Sequence, residues 1–184
     1  MRLVKSNLLL FAVALMTALS CAKSGNEPAP NPNVNFIAKT DGAAFESGGH
    51  YVTAELSMEK TGPYTLIIGA FDYNDVNTGK GRAVTISFSG SDFDNLEVGD
   101  EFVDYDKLTG EGAIGIYLDC QSFSECVGGT SLSENGSAYL KITALDNEKM
   151  LVSGEFSFDA DDENENHYGI TEGLFRKVAY LVED

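Results

Sequence analysis

Apolar side chains recur at every second position through most of the chain that follows residue 33. In segment 82–90, Val84, Ile86 and Phe88 alternate with hydroxyl-bearing neighbours. Successive side chains of a β-strand point to opposite faces, so this period predicts strands that each bury one face. The same argument predicts strands at 34–39, 44–46, 50–58, 64–71, 114–118, 140–144, 152–158 and from 170 towards 182. The expected apolar faces include Ile114, Ile116 and Leu118 in one strand and Leu140, Ile142 and Ala144 in another.

Turn-forming residues separate these segments. Gly42 closes a compact hairpin over 39–42, residues 72–81 form a longer polar loop, and 91–96 form a single helical turn that Ser91 can cap. Strands spaced roughly 10–15 residues apart with short connections predict an antiparallel all-β domain. We favour a two-sheet β-sandwich of about nine or ten strands, and the alternative is an up-and-down β-barrel.

The first 20 residues have the organisation of an export signal. Arg2 and Lys5 precede a largely apolar run of 12 residues, which ends in the letters ALSC. A helix needs about 20 apolar residues to span a bilayer, so this run is a targeting segment. Its end resembles a bacterial lipoprotein signal. We predict that residues 1–20 are removed and that Cys21 becomes the lipid-bearing first residue; the alternative is an ordinary cleaved signal peptide.

Lipidation of Cys21 would make the membrane a partner of this protein. One acyl chain binds a membrane only marginally, whereas several chains, such as palmitate, give stable anchoring. Residues 21–33 contain three prolines with Gly, Ser and Asn and are predicted to be the lipidated cysteine and a tether, followed by a single β-sandwich domain at 34–184. The expected location is the bacterial outer membrane or cell surface, with the leaflet left open.

The chain is strongly acidic once the signal is removed. Residues 1–20 contain two basic and no acidic residues, which leaves 10 Lys and Arg against 29 Asp and Glu, a net charge of −19. Nucleic-acid binding depends on Lys and Arg that neutralise phosphates. We therefore exclude nucleic acid as a partner, and membrane contact is expected to come from acyl chains instead of a basic patch.

Two further cysteines, Cys120 and Cys126, lie six residues apart. An exported chain meets an oxidising compartment, so a disulfide between them is the preferred interpretation. Free thiols and a metal site are the alternatives, although a zinc site needs more ligands than these two thiolates. The loop that the disulfide closes is short, so we expect it to stabilise one local turn by about 2–2.5 kcal/mol.

The densest acidic segment, residues 159–166, partly matches a calcium-binding loop. Asp161, Glu163 and Glu165 fall at loop positions 1, 3 and 5, and Glu172 falls at position 12, where a carboxylate can chelate calcium. Asn166 replaces the glycine of that motif, and the flanking segments have the period of strands. Calcium is thus a possible cofactor by this pattern, and a solvated acidic hairpin is the alternative.

Recognisable catalytic motifs are absent from the sequence. His50 and His167 are not in a zinc-protease spacing, and there is no Gly-x-Ser-x-Gly element. We therefore expect a protein that is not an enzyme. Tyrosines could instead form an aromatic platform for sugars on one sheet face, namely Tyr51, Tyr64, Tyr73, Tyr105, Tyr117 and Tyr139.

Several short segments of the sequence resemble an uncharacterised family of all-β lipoproteins from Bacteroidota-type bacteria, a family defined by a domain of unknown function. They lie at 36–38, 41–45, 138–143, 153–158 and 170–175. The resemblance implies an all-β fold and a location in the bacterial envelope. It assigns no functional role to any residue of this chain. The function expected is a membrane-anchored envelope lipoprotein, a non-enzymatic binding or structural module. The alternatives are a surface glycan-binding lipoprotein of a nutrient-capture system and an envelope hydrolase, and the partner would be a glycan or an envelope protein.

Inhibition of the lipoprotein signal peptidase tests the anchor. Because that peptidase cleaves before a lipidated cysteine, the inhibitor should make an unprocessed precursor accumulate, which a shift in electrophoretic mobility detects. Unchanged mobility in treated cells would reject lipidation of Cys21.

Overall fold

Eleven strands run through residues 34–58 and 62–183, the residues that the computed structural model describes. Residues 1–20, Cys21 and the predicted tether lie outside them. The strands are β1 Val34–Thr40, β2 Ala43–Gly48, β3 Val52–Met58, β4 Tyr64–Asp75, β5 Lys80–Gly90, β6 Glu101–Val103, β7 Gly112–Ser122, β8 Glu125–Thr130, β9 Ser137–Asp146, β10 Leu151–Asp161 and β11 His167–Glu183. Two short 3-10 turns, Gly49–Tyr51 and Phe93–Asn95, complete the secondary structure of the described residues.

The strands form one continuous sheet in the order β2-β1-β11-β3-β4-β5-β7-β8-β10-β9-β6, and β11 also pairs with β10. The β3–β11 pairing is parallel, and the other strand pairings are antiparallel. Because the last strand lies between β1 and β3, the order departs from the up-and-down alternative. The domain is an antiparallel all-β structure, as the strand period predicted, with eleven strands instead of nine or ten.

The sheet folds over on itself into two layers, as in a β-sandwich, because strands that are not neighbours in it contact each other: β7 contacts β9 and β10, and β4 contacts β2. One layer contains β4, β5 and β7, and the other contains β2, β1, β11, β10, β9 and β6. Strands β3 and β8 connect the layers, since each pairs with one strand of both. Aromatic side chains fill the space between them. The Phe88 ring of β5 lies 4.6 Å from the Phe102 ring of β6, and Phe36, Phe45 and Phe175 are fully buried.

Strand β11 bends twice to reach its three partners. Its pairing with β10 shifts register at two places. At these places Glu172 and Lys177 have φ angles of 52° and 50°, in the left-handed region. An extra residue on one strand produces such a bulge and increases the local twist. The bulges let a 17-residue strand pair first with β1 and β10 and then, at its end, with β3.

The predicted inward face of β7 is wrong. Ile114, Ile116 and Leu118 are half-buried on the outer face, whereas Ala113 and Tyr117 of the opposite face are buried. A Cβ atom on Gly115 would overlap the ring of Phe158 on β10. The inner face of β7 therefore carries small residues because a ring from the other layer needs that space.

Other local predictions met mixed outcomes. The hairpin at 39–42 is confirmed, with Asp41 and Gly42 at φ angles of 49° and 81°. The polar loop predicted at 72–81 is shorter than expected, since β4 continues to Asp75 and β5 begins at Lys80.

The turn after β5 is capped by Asp92, whose carboxylate accepts a hydrogen bond from the Asp94 backbone N–H, and the predicted cap at Ser91 is wrong. Ala144, predicted to point inwards, is exposed.

The predicted disulfide is present. Cys120 and Cys126 face each other across the β7–β8 hairpin and are covalently joined. As expected, the bond stabilises one local turn, because both residues belong to adjacent strands of the same hairpin. In the described part of the chain, no helix has the length and apolar character to cross a membrane.

Substitution of Gly115 by Ala tests the packing of Phe158. We expect the free energy of unfolding to fall by about 1–3 kcal/mol, because the added methyl group displaces a buried ring. Gly169→Ala on β11 is the matched control, since its nearest side-chain atoms lie 3.7 Å away, and it should change stability by less than about 1 kcal/mol. Urea unfolding of both variants measures the difference, and equal effects would contradict the packing argument.

Candidate functional site

A groove of about 720 Å³ lies between β2, the 3-10 turn before β3, and the end of β4. Ligand sites in proteins commonly have volumes of about 300–1,000 Å³. Three aromatic side chains line the groove, together with polar residues from both strands and Val34, the first described residue. The lining residues that carry the argument are Glu46, Tyr51, Phe71, Tyr73, Asn74 and Asp75.

The aromatic side chains form one cluster. Phe71 and Tyr73 project from the same face of β4 because they are two residues apart, and their rings stack 5.1 Å apart with an interplanar angle of 10°. Tyr51 contacts Tyr73 edge-on at 5.2 Å. Phe71 is buried, whereas both tyrosines are half-buried and line the groove. The groove therefore has an apolar surface with hydroxyl groups on it.

Arg82 joins the two layers beside this groove. Its guanidinium donates to Thr40 Oγ1 at 3.0 Å and to the Ala44 carbonyl at 2.7 Å, and it forms an ion pair with Asp72. It also lies 5.5 Å from the centroid of the Phe45 ring. Since Arg82 comes from β5 and Asp72 from β4, these contacts attach β1 and β2 to the opposite layer. They fix the position of the strand that forms one side of the groove.

Two titratable groups in the groove, Tyr73 and Asp75, have shifted pKa values. Burial raises the pKa of Tyr73, and the neighbouring Tyr51 adds to that effect, so its hydroxyl stays protonated. A hydrogen bond from the Asn77 backbone N–H lowers the pKa of Asp75. The groove thus offers a protonated hydroxyl group at Tyr73 and an ionised carboxylate at Asp75, which can donate to and accept from a polar ligand.

The six tyrosines proposed as a platform do not share one face. Tyr51 and Tyr73 meet in the groove, but Tyr64 and Tyr117 are buried at 4% and 6% exposure. Tyr105 and Tyr139 line neither this groove nor its rim. Phe71, which completes the cluster, was not among the residues proposed for the platform.

The predicted calcium ligands are not assembled into one site. Asp161 ends β10 and hydrogen-bonds to His167, whereas Glu172 lies within β11 and pairs with Lys39 at 2.6 Å. Glu163 and Glu165 are exposed in the intervening hairpin. Within residues 34–58 and 62–183, no group of three or more His, Cys, Asp or Glu side chains is arranged to bind a metal ion. Calcium binding stays a prediction.

Sequence reasoning missed how the acidic hairpin is organised. Asp162, which was not among the predicted ligands, accepts hydrogen bonds from the backbone N–H groups of Asn164 and Asn166 at 2.8 and 2.9 Å, and from Tyr168. An Asp that accepts from residues ahead of it is a common way to close a turn. The acidic segment thus includes a residue, Asp162, whose carboxylate has a local structural role.

His167 lies between two carboxylates on this hairpin. Its Nδ1 atom is 2.9 Å from Asp161 Oδ1, and its Nε2 atom is 3.4 Å from Asp159 Oδ1. The hydrogen bond with Asp161 raises the pKa of His167, and the charge on Asp159 adds to the rise. The same hydrogen bond lowers the pKa of Asp161. Ser133 also donates to Asp161, at 3.2 Å.

Comparisons of the chain with protein-family models, with curated proteins and with solved structures find no match. The candidate site is therefore defined by the geometry of the groove alone.

The His167 pair predicts how pH affects stability. A raised folded-state pKa contributes stability that is present below the unfolded value of about 6.5 and is lost as pH rises through the folded value. For Asp161 the contribution is present above the unfolded value of about 3.9 and is lost as pH falls through the depressed folded value. The hydrogen bond between His167 and Asp161 should therefore stabilise the folded state most between about pH 3.9 and about pH 6.5, where both contributions are present.

An NMR titration of the His167 ring measures this pair directly. Asp161→Asn should lower the pKa of His167, whereas Glu148→Gln, which removes a carboxylate that does not contact the ring, should leave it unchanged. Equal His167 titration curves in the wild type and in Asp161→Asn would show that the pair does not form.

Proposed function

We propose that this protein is a lipid-anchored lipoprotein of the bacterial envelope and that its β-sandwich is a non-enzymatic binding module. The lipoprotein-like signal before Cys21 supports the anchor, and the aromatic groove supports the binding role. The groove is the observation on which the binding role rests, because it places two partly accessible tyrosines beside the side chains of Glu46 and Asp75.

A glycan is the ligand class that the groove favours. Aromatic rings in contact with a ligand contribute about 0.5–1.5 kcal/mol beyond the area that they bury. The Tyr73 ring, which stacks on buried Phe71, offers apolar surface to the C–H groups of a sugar ring, and the Tyr51 ring contacts it edge-on at an interplanar angle of 64°. Glu46, Asn74 and other polar groups at the rim supply hydrogen-bond acceptors and donors for sugar hydroxyls.

An envelope hydrolase is the second candidate, because three carboxylates line this groove. Glycoside hydrolysis needs two carboxyl groups on either side of the scissile bond. Asp72 is engaged by Arg82, and Asp75 accepts a hydrogen bond from Asn77, so both already have structural partners. A binding module leaves its glycan intact, and release of reducing ends from bound glycan would favour the hydrolase instead.

The position of the groove is compatible with an anchor at Cys21. Val34 lines the groove, and 12 residues separate it from Cys21 in the sequence. At about 3 Å per residue, a Pro-rich tether of that length reaches some 30–40 Å. A ligand in the groove would then be held within that distance of the membrane.

Glycan binding is tested on the full-length lipoprotein in detergent. A glycan array identifies a ligand, and calorimetry then measures its affinity. Tyr73→Ala should weaken binding about tenfold, because one stacking surface is lost. Tyr105→Ala, which removes a half-buried tyrosine outside the groove, is the control and should leave affinity unchanged. No ligand on the array would reject the glycan, and equal losses in both variants would place the site elsewhere.

A further inference from the structure

The outward side of β4, β5, β7 and β8 carries no charged side chain. Its positions alternate with the fully buried Leu66 and Ile68 on β4 and with Val84 and Ile86 on β5, so they face away from the core. The register of the four strands places these positions side by side. We call them the uncharged face, which consists of the odd-numbered residues of 65–71 and 83–89 and the even-numbered residues of 112–118 and 128–130.

The outer face of the other layer is charged instead. Lys39 on β1 pairs with Glu172 on β11 at 2.6 Å, and Lys141 on β9 pairs with Glu101 on β6 at 2.8 Å. Outward positions of an antiparallel sheet are usually polar where the sheet faces water. In a chain with 29 Asp and Glu, a sheet face without a single charge is therefore better suited to contact another surface.

The uncharged face has a furrow along β5 and apolar side chains on both sides of it. Small residues form the furrow, since Ser87 lies between Ile67 of β4 and Ile114 of β7, and Thr85 lies beside Ile116. The three isoleucines are only half-buried, so an approaching surface can reach them. Strand β7 therefore forms a ridge beside the furrow.

This shape is complementary to itself. The ridge and the furrow belong to neighbouring strands, which lie about 4.8 Å apart. A two-fold axis parallel to the strands and midway between β5 and β7 would place the β7 ridge of each copy over the β5 furrow of the other. Two-fold contacts use the same patch on both subunits, and stacked sheets interdigitate their side chains at a spacing of about 10 Å. The uncharged face thus fits a second copy of itself.

Charge also favours contact through this face. The chain has a formal net charge of −17, so two copies repel each other. Contact through the outer face of the other layer would bring exposed carboxylates together, such as those of Glu155 and Glu172. Contact through the uncharged face keeps the carboxylates of the two copies apart.

The area is sufficient for a specific dimer. Strand β3 extends the face by a polar rim of Thr53, Glu55 and Ser57. Five strands about 4.8 Å apart and about seven residues long, at about 3.3 Å per residue, cover roughly 24 by 23 Å. Two such faces bury about 1,100 Å², which exceeds the roughly 1,000 Å² expected of a specific interface.

From these observations we propose that the protein forms a symmetric dimer through the uncharged face, with the ridge of Ile114, Ile116 and Leu118 of each copy in the β5 furrow of the other. This inference goes beyond the proposed binding of a glycan and does not depend on it, since Ile116 and Ser87 do not line the groove.

Sedimentation equilibrium of the full-length protein in density-matched detergent tests the dimer. We expect dimerisation in the micromolar range that becomes tighter when salt rises from about 0.05 M to about 0.5 M, because salt screens the repulsion between acidic copies. A wild-type protein that stays monomeric throughout the micromolar range would overturn the proposal and leave the face to a different partner. A dimer that salt weakens would also reject it, because ion pairs would then hold the copies together.

A charge placed on the ridge tests which face is used. Ile116→Lys should weaken dimerisation by at least about 100-fold, because each copy would bury an unpaired ammonium group. Ile37→Lys is the matched control and should leave the affinity unchanged, since Ile37 is also half-buried on an outer face but belongs to the opposite layer. Thermal denaturation checks that both variants are folded, and equal losses of affinity in both would contradict the proposed interface.

Filling the furrow separates a shaped interface from general apolar association. Ser87→Leu makes the face more apolar but occupies the space that the ridge of the other copy needs, so dimerisation should weaken about tenfold. An unchanged or tighter dimer would show that the furrow does not receive the ridge. This variant keeps the proposal testable if Ile116→Lys does not fold.

Discussion

Phenylalanine rings in this domain occupy space that glycines leave free, and the core depends on that match. Phe158 lies over Gly115 across the two layers, whereas Phe156 lies over Gly173 on the neighbouring strand. Protein interiors are packed nearly as densely as organic crystals, so a ring of this size requires a small residue opposite it. The glycines therefore set where β10 meets β11 and where the two layers approach each other.

Much of the fold could be predicted from the period of apolar residues, because nine of the eleven strands are long enough to show it. The two missed strands have local reasons. Glu101–Val103 is only three residues long, and Glu125–Thr130 contains two glycines and a disulfide cysteine. The inverted face of β7 has a non-local reason, since the sequence around Gly115 cannot show that Phe158 will cover it.

The candidate site was less accessible from the sequence because it depends on which tyrosines are exposed. Tyr51 and Tyr64 both adjoin predicted strands, yet the first lines a groove and the second lies in the core. The predicted strand from 170 towards 182 contains Glu172, but its spacing could not show that the Glu172 side chain would pair with Lys39. Chemistry that requires several side chains to meet is set by strand order, and β11 brings together segments more than 120 residues apart.

The ribosome synthesises β11 after the ten strands that precede it, and this order has consequences for how the domain folds. Strand β1 pairs with β11 along one of its edges, and β3 pairs with the final residues of β11. Neither β1 nor β3 can therefore complete its pairing before β11 has left the ribosome. Such distant pairing is slow, and unpaired strand edges invite association between chains. A nascent polypeptide of this kind is therefore exposed to such association until β11 has left the ribosome.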